Sequence, residues 1–200
     1  PTAMKGEWVK GPRHALFETI REKLGELPII AEDLGLTTPT VDQLRDDFSF
    51  PGMKIIQFAF DGDTSNSFLP HNYPQNCVVY TGTHDNDTSV GWYEKASEEE
   101  RHLMRVYTRS SGEEVAWELI RLAMFSTADQ AIIPLQDYMS LPGDHRMNFP
   151  GTVGANWRWR YTQQMLEALD RDRMREMVSL SYRGREKGPR VASASNPSIE

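Results

Sequence analysis

Tyr80-Thr81-Gly82-Thr83-His84-Asp85-Asn86-Asp87-Thr88 places a histidine and two aspartates directly behind the β-rich run Cys77-Val78-Val79-Tyr80. A second acid pair, Glu32-Asp33, follows Ile29-Ile30-Ala31 in the same way. Acids delivered at the C-terminal tips of two strands suit a barrel-type active site. Paired carboxylates there point to glycoside chemistry, in which one carboxyl protonates the leaving oxygen while another attacks or stabilises the sugar carbon. Each feature also has an inert reading. An isolated Glu-Asp pair is most often exposed and idle, and Asp33 is read as capping the following turn. The His84–Asp87 cluster has the ligand types for Ca²⁺ or Mg²⁺, but its spacing does not match the twelve-residue calcium loop, and no metal is expected. Asn86 and Asp87 are expected to bond loop backbone amides.

The elements that must position these residues alternate. Gly11-Pro12 opens a helix with Leu16, Ile20 and Leu24 on one face and Gly25 as its stop. Pro28 to Ala31 reads as a strand. Thr38-Pro39 caps a second helix that buries Val41, Leu44 and Phe48. Met53 to Phe60 and Val78 to Tyr80 are the next strands, separated by a polar loop from Asp61 to Gln75. Ser97 to Glu100 is a capping box opening a helix through about Thr108, with Leu103, Val106 and Tyr107 inward. A helix from about Glu113 carries Val115, Leu119, Leu122 and Ala123. Ala131 to Leu135 is a fourth strand ending at Gln136-Asp137, and 141–156 is a long Gly/Pro/Asn-rich loop. A last helix spans about Thr162 to Val178, and 184–200 is expected to be a disordered tail after a 1–183 domain part. Near-continuously apolar strands with helical crossovers mean a parallel sheet buried on both faces. Four such units are half of a (β/α)8 barrel, so the expected fold is α/β, the C-terminal half of a TIM barrel with loop and helical insertions. The chain opens on Pro1, and an N-terminal portion is expected to precede it.

Composition narrows the partners. Apolar residues are 38% and charged residues 26% of 200, as in a soluble globular domain. A net charge of −7 argues against nucleic acid or an anionic membrane, both of which select clustered Lys and Arg. No apolar run reaches the ~18–20 residues of a membrane span. The single cysteine, Cys77, allows no intrachain disulfide and reads as a small buried apolar residue.

Several motifs occur in a fixed order: Ala31-Glu32-Asp33-Leu34-Gly35, Pro51-Gly52-Met53-Lys54, Gln57-Phe58-Ala59-Phe60, Leu69-Pro70-His71-Asn72-Tyr73, Thr81 to Thr88, and Arg146-Met147-Asn148-Phe149-Pro150-Gly151. In this they resemble the 4-α-glucanotransferases, the amylomaltase and disproportionating-enzyme family (glycoside hydrolase family 77), from Pro1 to about Tyr161. The resemblance implies a (β/α)8 barrel. It also implies retaining transfer of α-1,4-glucan segments to glucose or maltodextrin acceptors, without a cofactor, in the cytoplasm of a bacterium or in the plastid stroma. It makes Glu32 the acid/base, Asp85 the third catalytic acid, and His84 a ligand of the glucose at the cleavage point. The family's nucleophile lies in an Arg-x-Asp-His-type motif that residues 1–200 lack, so it is expected just upstream or on a second chain.

Transfer in place of hydrolysis needs walls that exclude water and stack on sugar faces. Phe58, Phe60, Tyr73 and Trp157 are candidates, with Asp61 and Asn156 bonding sugar hydroxyls. The inert reading puts Phe58 and Phe60 together in the core, on one strand face. Of Trp157 and Trp159, one is expected to pack and the other to meet ligand. Rival functions are a related α-glucan hydrolase and a non-catalytic maltodextrin-binding or assembly half-barrel. A metal-dependent hydrolase centred on His84 and Asp85 is a weaker third. Open barrel edges predict pairing with the N-terminal half or self-association.

Overall fold

The computed structural model describes residues 6–7, 9–35 and 37–184. The tail expected at 184–200 lies outside these residues, apart from Gly184. Among these residues three strands form one parallel sheet in the order β1 (Gly52–Ile55), β2 (Cys77–Tyr80), β3 (Gln130–Ile132). Gly52 pairs with Cys77, Ile55 with Tyr80, and Tyr80 with Ile132. The central strand β2 is apolar and buried over Cys77, Val78 and Val79, as expected of a strand covered on both faces.

Among the described residues eight helices accompany the sheet: α1 (His14–Leu24), α2 (Pro39–Asp47), α3 (Ser89–Lys95), α4 (Glu98–Thr108), α5 (Val115–Phe125), α6 (Leu135–Tyr138), α7 (Gln163–Glu167) and α8 (Arg171–Leu180). The predicted capping box is present at α4, where Ser97 and Glu100 exchange side-chain and backbone bonds. The core joins Ile56, Phe60 and Val79 to Met104 of α4 and to Val115, Leu119 and Ala123 of α5. A second cluster, Trp117, Ile120 and Met124, is covered by Met174, Met177 and Val178 of α8.

Several expectations are corrected. Residues 28–31 form no strand; Ile29 N–H and Asp33 N–H bond carbonyls two residues back, which curls the segment, and only Ala31 N–H reaches Pro51 O, at 2.9 Å. The strand expected over 53–60 ends at Ile55 and tightens into a 3₁₀ turn at Ile56–Phe58. A 3₁₀ turn rotates about 120° per residue, so positions i and i+2 diverge. Phe60 is therefore 3% exposed and Phe58 43% exposed, not on one face.

The fourth strand also stops early, because Pro134 opens α6 and carries Gln136-Asp137 onto a helical turn. α3 was not anticipated: Val90, Gly91 and its aromatics are weak helix formers. It forms because Thr88 Oγ1 accepts Gly91 N–H and because Gly91 fits where a Cβ would meet Asp87 Oδ1 at 2.5 Å. The last helix is two, since Asp170 caps α8 by accepting Arg173 N–H. No residue of α1 or α2 is buried. Leu16, Leu24 and Val41 are exposed, and α1 leans on Phe48 and Phe50 through Phe17 instead. On α4, Met104 is inside and Val106 outside.

Candidate active site

The loop from Thr81 to Thr88 joins the C-terminal end of β2 to α3. Asn86 folds it: its Oδ1 accepts Thr83 N–H (2.9 Å) and Thr83 Oγ1–H (2.8 Å), as an Asx-type turn does. The turn throws His84 and Asp85 outward, with side chains about half exposed and His84 Nε2 3.4 Å from Asp85 Oδ1. Asp85 Oδ1 accepts Asn148 Nδ2–H at 2.7 Å, and Arg146 Nη2 donates to Asp85 O at 2.8 Å. The His84 ring lies 5.0 Å from Trp157, centroid to centroid. Trp157 adopts φ +64°, and its N–H is held by Met147 O. His84, Asp87, Asp137, Arg146, Met147 and Trp157 line a cleft of about 160 Å³, and Asp85 and Asn148 stand outside its lining.

Buried polar groups hold the loop from below. Gln57, 6% exposed, donates from Nε2 to Asp87 O at 2.9 Å, and its N–H reaches Thr81 O. A Cβ at Gly82 would sit 2.6 Å from Gln57 Nε2, so only glycine lets that amide cross. Asp137 Oδ2 accepts Thr81 Oγ1–H at 2.5 Å, and Oδ1 accepts Ser89 N–H at 2.7 Å. Burial raises the pKa of Asp137; the Ser89 and Thr81 bonds oppose this and the Asp87 charge adds to it. Asp87 itself accepts Thr88 N–H, as expected of a loop acid, and pairs with Lys95 and Arg146.

The other sequence candidates are distributed unevenly. Glu32 is exposed on the segment after Ala31 and stands near the Tyr80 hydroxyl, whose pKa is raised by burial first and by the Glu32 charge second. Glu32 does not line the His84–Trp157 cleft. Asp33 is not a turn cap. It accepts Met53 N–H (2.7 Å) and Arg45 Nη1–H (2.5 Å), joining β1 to α2.

Asp61 is exposed and accepts Asp63 N–H. Asn156 is occupied inside its own loop, bonding Phe149 N–H and Thr152. Tyr73 is buried and donates its hydroxyl to Phe68 O, and burial moves its pKa up, so it is core rather than wall. Phe60 is core as well, against Trp92 and Tyr107, whereas Phe58 is exposed and stacks edge-on with Phe68. The tryptophans split: Trp157 lines the cleft, and Trp159 donates to His145 Nδ1. Cys77 is buried, and its thiol is pushed up to about 11 by burial. Among the described residues no group of three or more His, Cys, Asp or Glu could hold a metal ion.

Gln57, Asp137, Arg146 and Asn148 act on this site without having been given roles from sequence. A polar residue inside the apolar run 53–60 and one closing the run after Leu135 were the available signals for Gln57 and Asp137.

The chain matches a family model described as 4-alpha-glucanotransferase over residues 1–166. It is 48% identical to the 4-alpha-glucanotransferase of Thermus thermophilus, covering 92% of this chain and 38% of that protein. With the Synechocystis 4-alpha-glucanotransferase it shares 52% identity over 82% of this chain and 33% of the relative. A chloroplastic/amyloplastic relative from Arabidopsis thaliana is 44% identical, with 89% and 32% covered. The chain therefore spans about a third of the length of the curated relatives it matches. Among solved structures it superposes on the amylomaltase from Streptococcus agalactiae in complex with acarbose, with a TM-score of 0.84, 38% identity, and coverage of 89% of this chain and 36% of that one. A family model covering most of the chain and relatives at 44–52% identity agree, and this chain belongs to the 4-alpha-glucanotransferase family.

Proposed function

We propose that these residues form the acid/base and sugar-holding side of a 4-alpha-glucanotransferase active site. The observation that carries the reading is the His84-Asp85 pair, held at the C-terminal end of the central parallel strand and walled by Trp157. Glu32 gives its proton to the glycosidic oxygen as the C1–O bond breaks, and a carboxylate from sequence outside this chain takes C1. Glu32 then removes the proton from an acceptor hydroxyl as the new C1–O bond forms and the carboxylate leaves. Asp85 and His84 hold sugar hydroxyls and the positive charge developing at C1, with Asn148 fixing the Asp85 carboxylate. Trp157 offers an apolar face for sugar stacking, and Phe58 is an exposed aromatic for the same use farther out. Asp61 is exposed and open to a sugar hydroxyl, while Asn156 acts indirectly, through the loop that carries Trp157.

The three strands belong, on this reading, to a (β/α)8 barrel. Ile132 on β3, 44% exposed, is surface that further strands would cover, whether from an N-terminal half or a second copy. The amylomaltase–acarbose complex supports a glucan-type ligand for this site, and bacterial and plastid relatives support the bacterial cytoplasm or the plastid stroma. Among the described residues no helix is long and apolar enough to cross a membrane.

The test is maltotriose disproportionation by the full-length protein, with Glu32→Gln as control. Glucose should appear together with longer maltodextrins, and Glu32→Gln should lower the rate by about 10²–10⁴, the usual contribution of a general acid. Glucose and maltose without longer products would make the protein a hydrolase. Undiminished transfer by Glu32→Gln would remove Glu32 from the chemistry.

A further inference from the structure

We infer that Asp137 is a positioning residue that sets the place of the His84-Asp85 tip by holding both ends of the loop that carries it. This rests on the reading of Asp85 as a sugar-contacting acid. Thr81 is the first residue after β2 and Ser89 the first residue of α3; Asp137 reaches both from α6, a separate element far along the chain. Its side chain uses both oxygens for this and is 1% exposed. Among the described residues no cation pairs with it; Asp87, whose charge it feels, is itself paired with Lys95 and Arg146.

A buried carboxyl with no counter-ion is favoured in its neutral form. In that form Oδ1 still accepts Ser89 N–H, while Oδ2–H donates and the Thr81 hydroxyl turns from donor to acceptor. An asparagine amide reproduces this pair, with its oxygen toward Ser89 and its NH₂ toward Thr81. An alanine leaves Ser89 N–H and Thr81 Oγ1 buried without their partner. The tip then keeps Gln57 at Thr81 O and Asp87 O, Arg146 at Asp85 O and Asn148 at Asp85 Oδ1, but loses the one group that ties both loop ends to α6.

The test compares Asp137→Ala, Asp137→Asn and Thr81→Val in the full-length protein. Asp137→Asn is expected to keep kcat for maltotriose disproportionation. Asp137→Ala is expected to lose about 10–100-fold in kcat with little change in KM, as a misplaced reacting group does. Thr81→Val keeps the Ser89 arm, folds even where the alanine variant does not, and falls between them. The His84 imidazole NMR resonances, shifted by the ring current of Trp157, read the same geometry without turnover. They should move in Asp137→Ala and Thr81→Val and stay in Asp137→Asn.

Wild-type kcat and resonances in a folded Asp137→Ala overturn the inference, and so does a loss in Asp137→Asn equal to that in alanine. If the wild type performs no transfer, the functional reading fails, while the resonances still decide whether Asp137 positions the tip.

Discussion

Gly82→Ala adds one methyl group at a place where the structure has no room for it. Gly82 has no positive φ, so its backbone accepts alanine without strain and the cost is steric. The new Cβ would lie 2.6 Å from Gln57 Nε2 and 3.1 Å from Asn86 Cβ. Gln57 must give way, and in moving it gives up its bond to Asp87 O inside a buried site. Overpacking costs about 1–3 kcal/mol, and a buried donor left unpaired about 1–3 kcal/mol. The two overlap, so about 2–4 kcal/mol is expected. Gln57→Ala alone loses the bond but empties the space. In that background Gly82→Ala should cost about 1 kcal/mol or less, leaving a coupling of about 1–3 kcal/mol, typical of residues in contact. Urea denaturation of the four proteins, followed by tryptophan fluorescence, measures the cycle. Additivity within about 0.5 kcal/mol would refute the claim that the Gln57 amide occupies the space facing Gly82.

Two further outcomes follow from the core and from the buried acid. Leu119→Ala empties a fully buried position between α5 and the sheet and should cost about 2–5 kcal/mol in the same denaturation assay; a loss under 1 kcal/mol would mean that α5 is not packed as described. The folded-state pKa of Asp137 is raised by burial, so the folded protein holds its proton above the unfolded value of about 3.9. Its contribution is therefore fully present below that value and is lost as pH rises through the raised one. Asp137→Asn cannot titrate, so its stability relative to the wild type should improve with pH across that window and then level off. Asp87 faces the same carboxyl, and its charge, paired with Lys95 and Arg146, is common to both proteins. A stability difference independent of pH would show that folding does not raise the Asp137 pKa.

Much of this protein was legible in one dimension. Cys77-Val78-Val79-Tyr80 is a strand because β-branched and aromatic residues fill a surface buried on both faces. Ser97 to Glu100 is a helix start because its side chains satisfy backbone groups within one turn. His84-Asp85 was visible as a candidate site because those side chains follow a strand directly and local turn bonds at Asn86 present them. Such features are short-range, and spacing records them. What the sequence left open depends on groups brought together from far apart. Met53 to Phe60 has strand composition throughout, yet Gln57 bonds Thr81 and Asp87 and turns the chain into a 3₁₀ segment, which separates Phe58 from Phe60. Asn156 reads as a free polar side chain but is used up inside its own loop. Glu32 and Asp85 both read as strand-end acids, but residues 28–31 form no strand, and only tertiary packing decides that Trp157 walls the cleft beside His84 while Glu32 does not line it. Asp137 reads as an ordinary acid after a strand. Its role appears only when α6 folds back between Thr81 and Ser89, because a hydrogen bond is set by distance in space and not by distance along the chain.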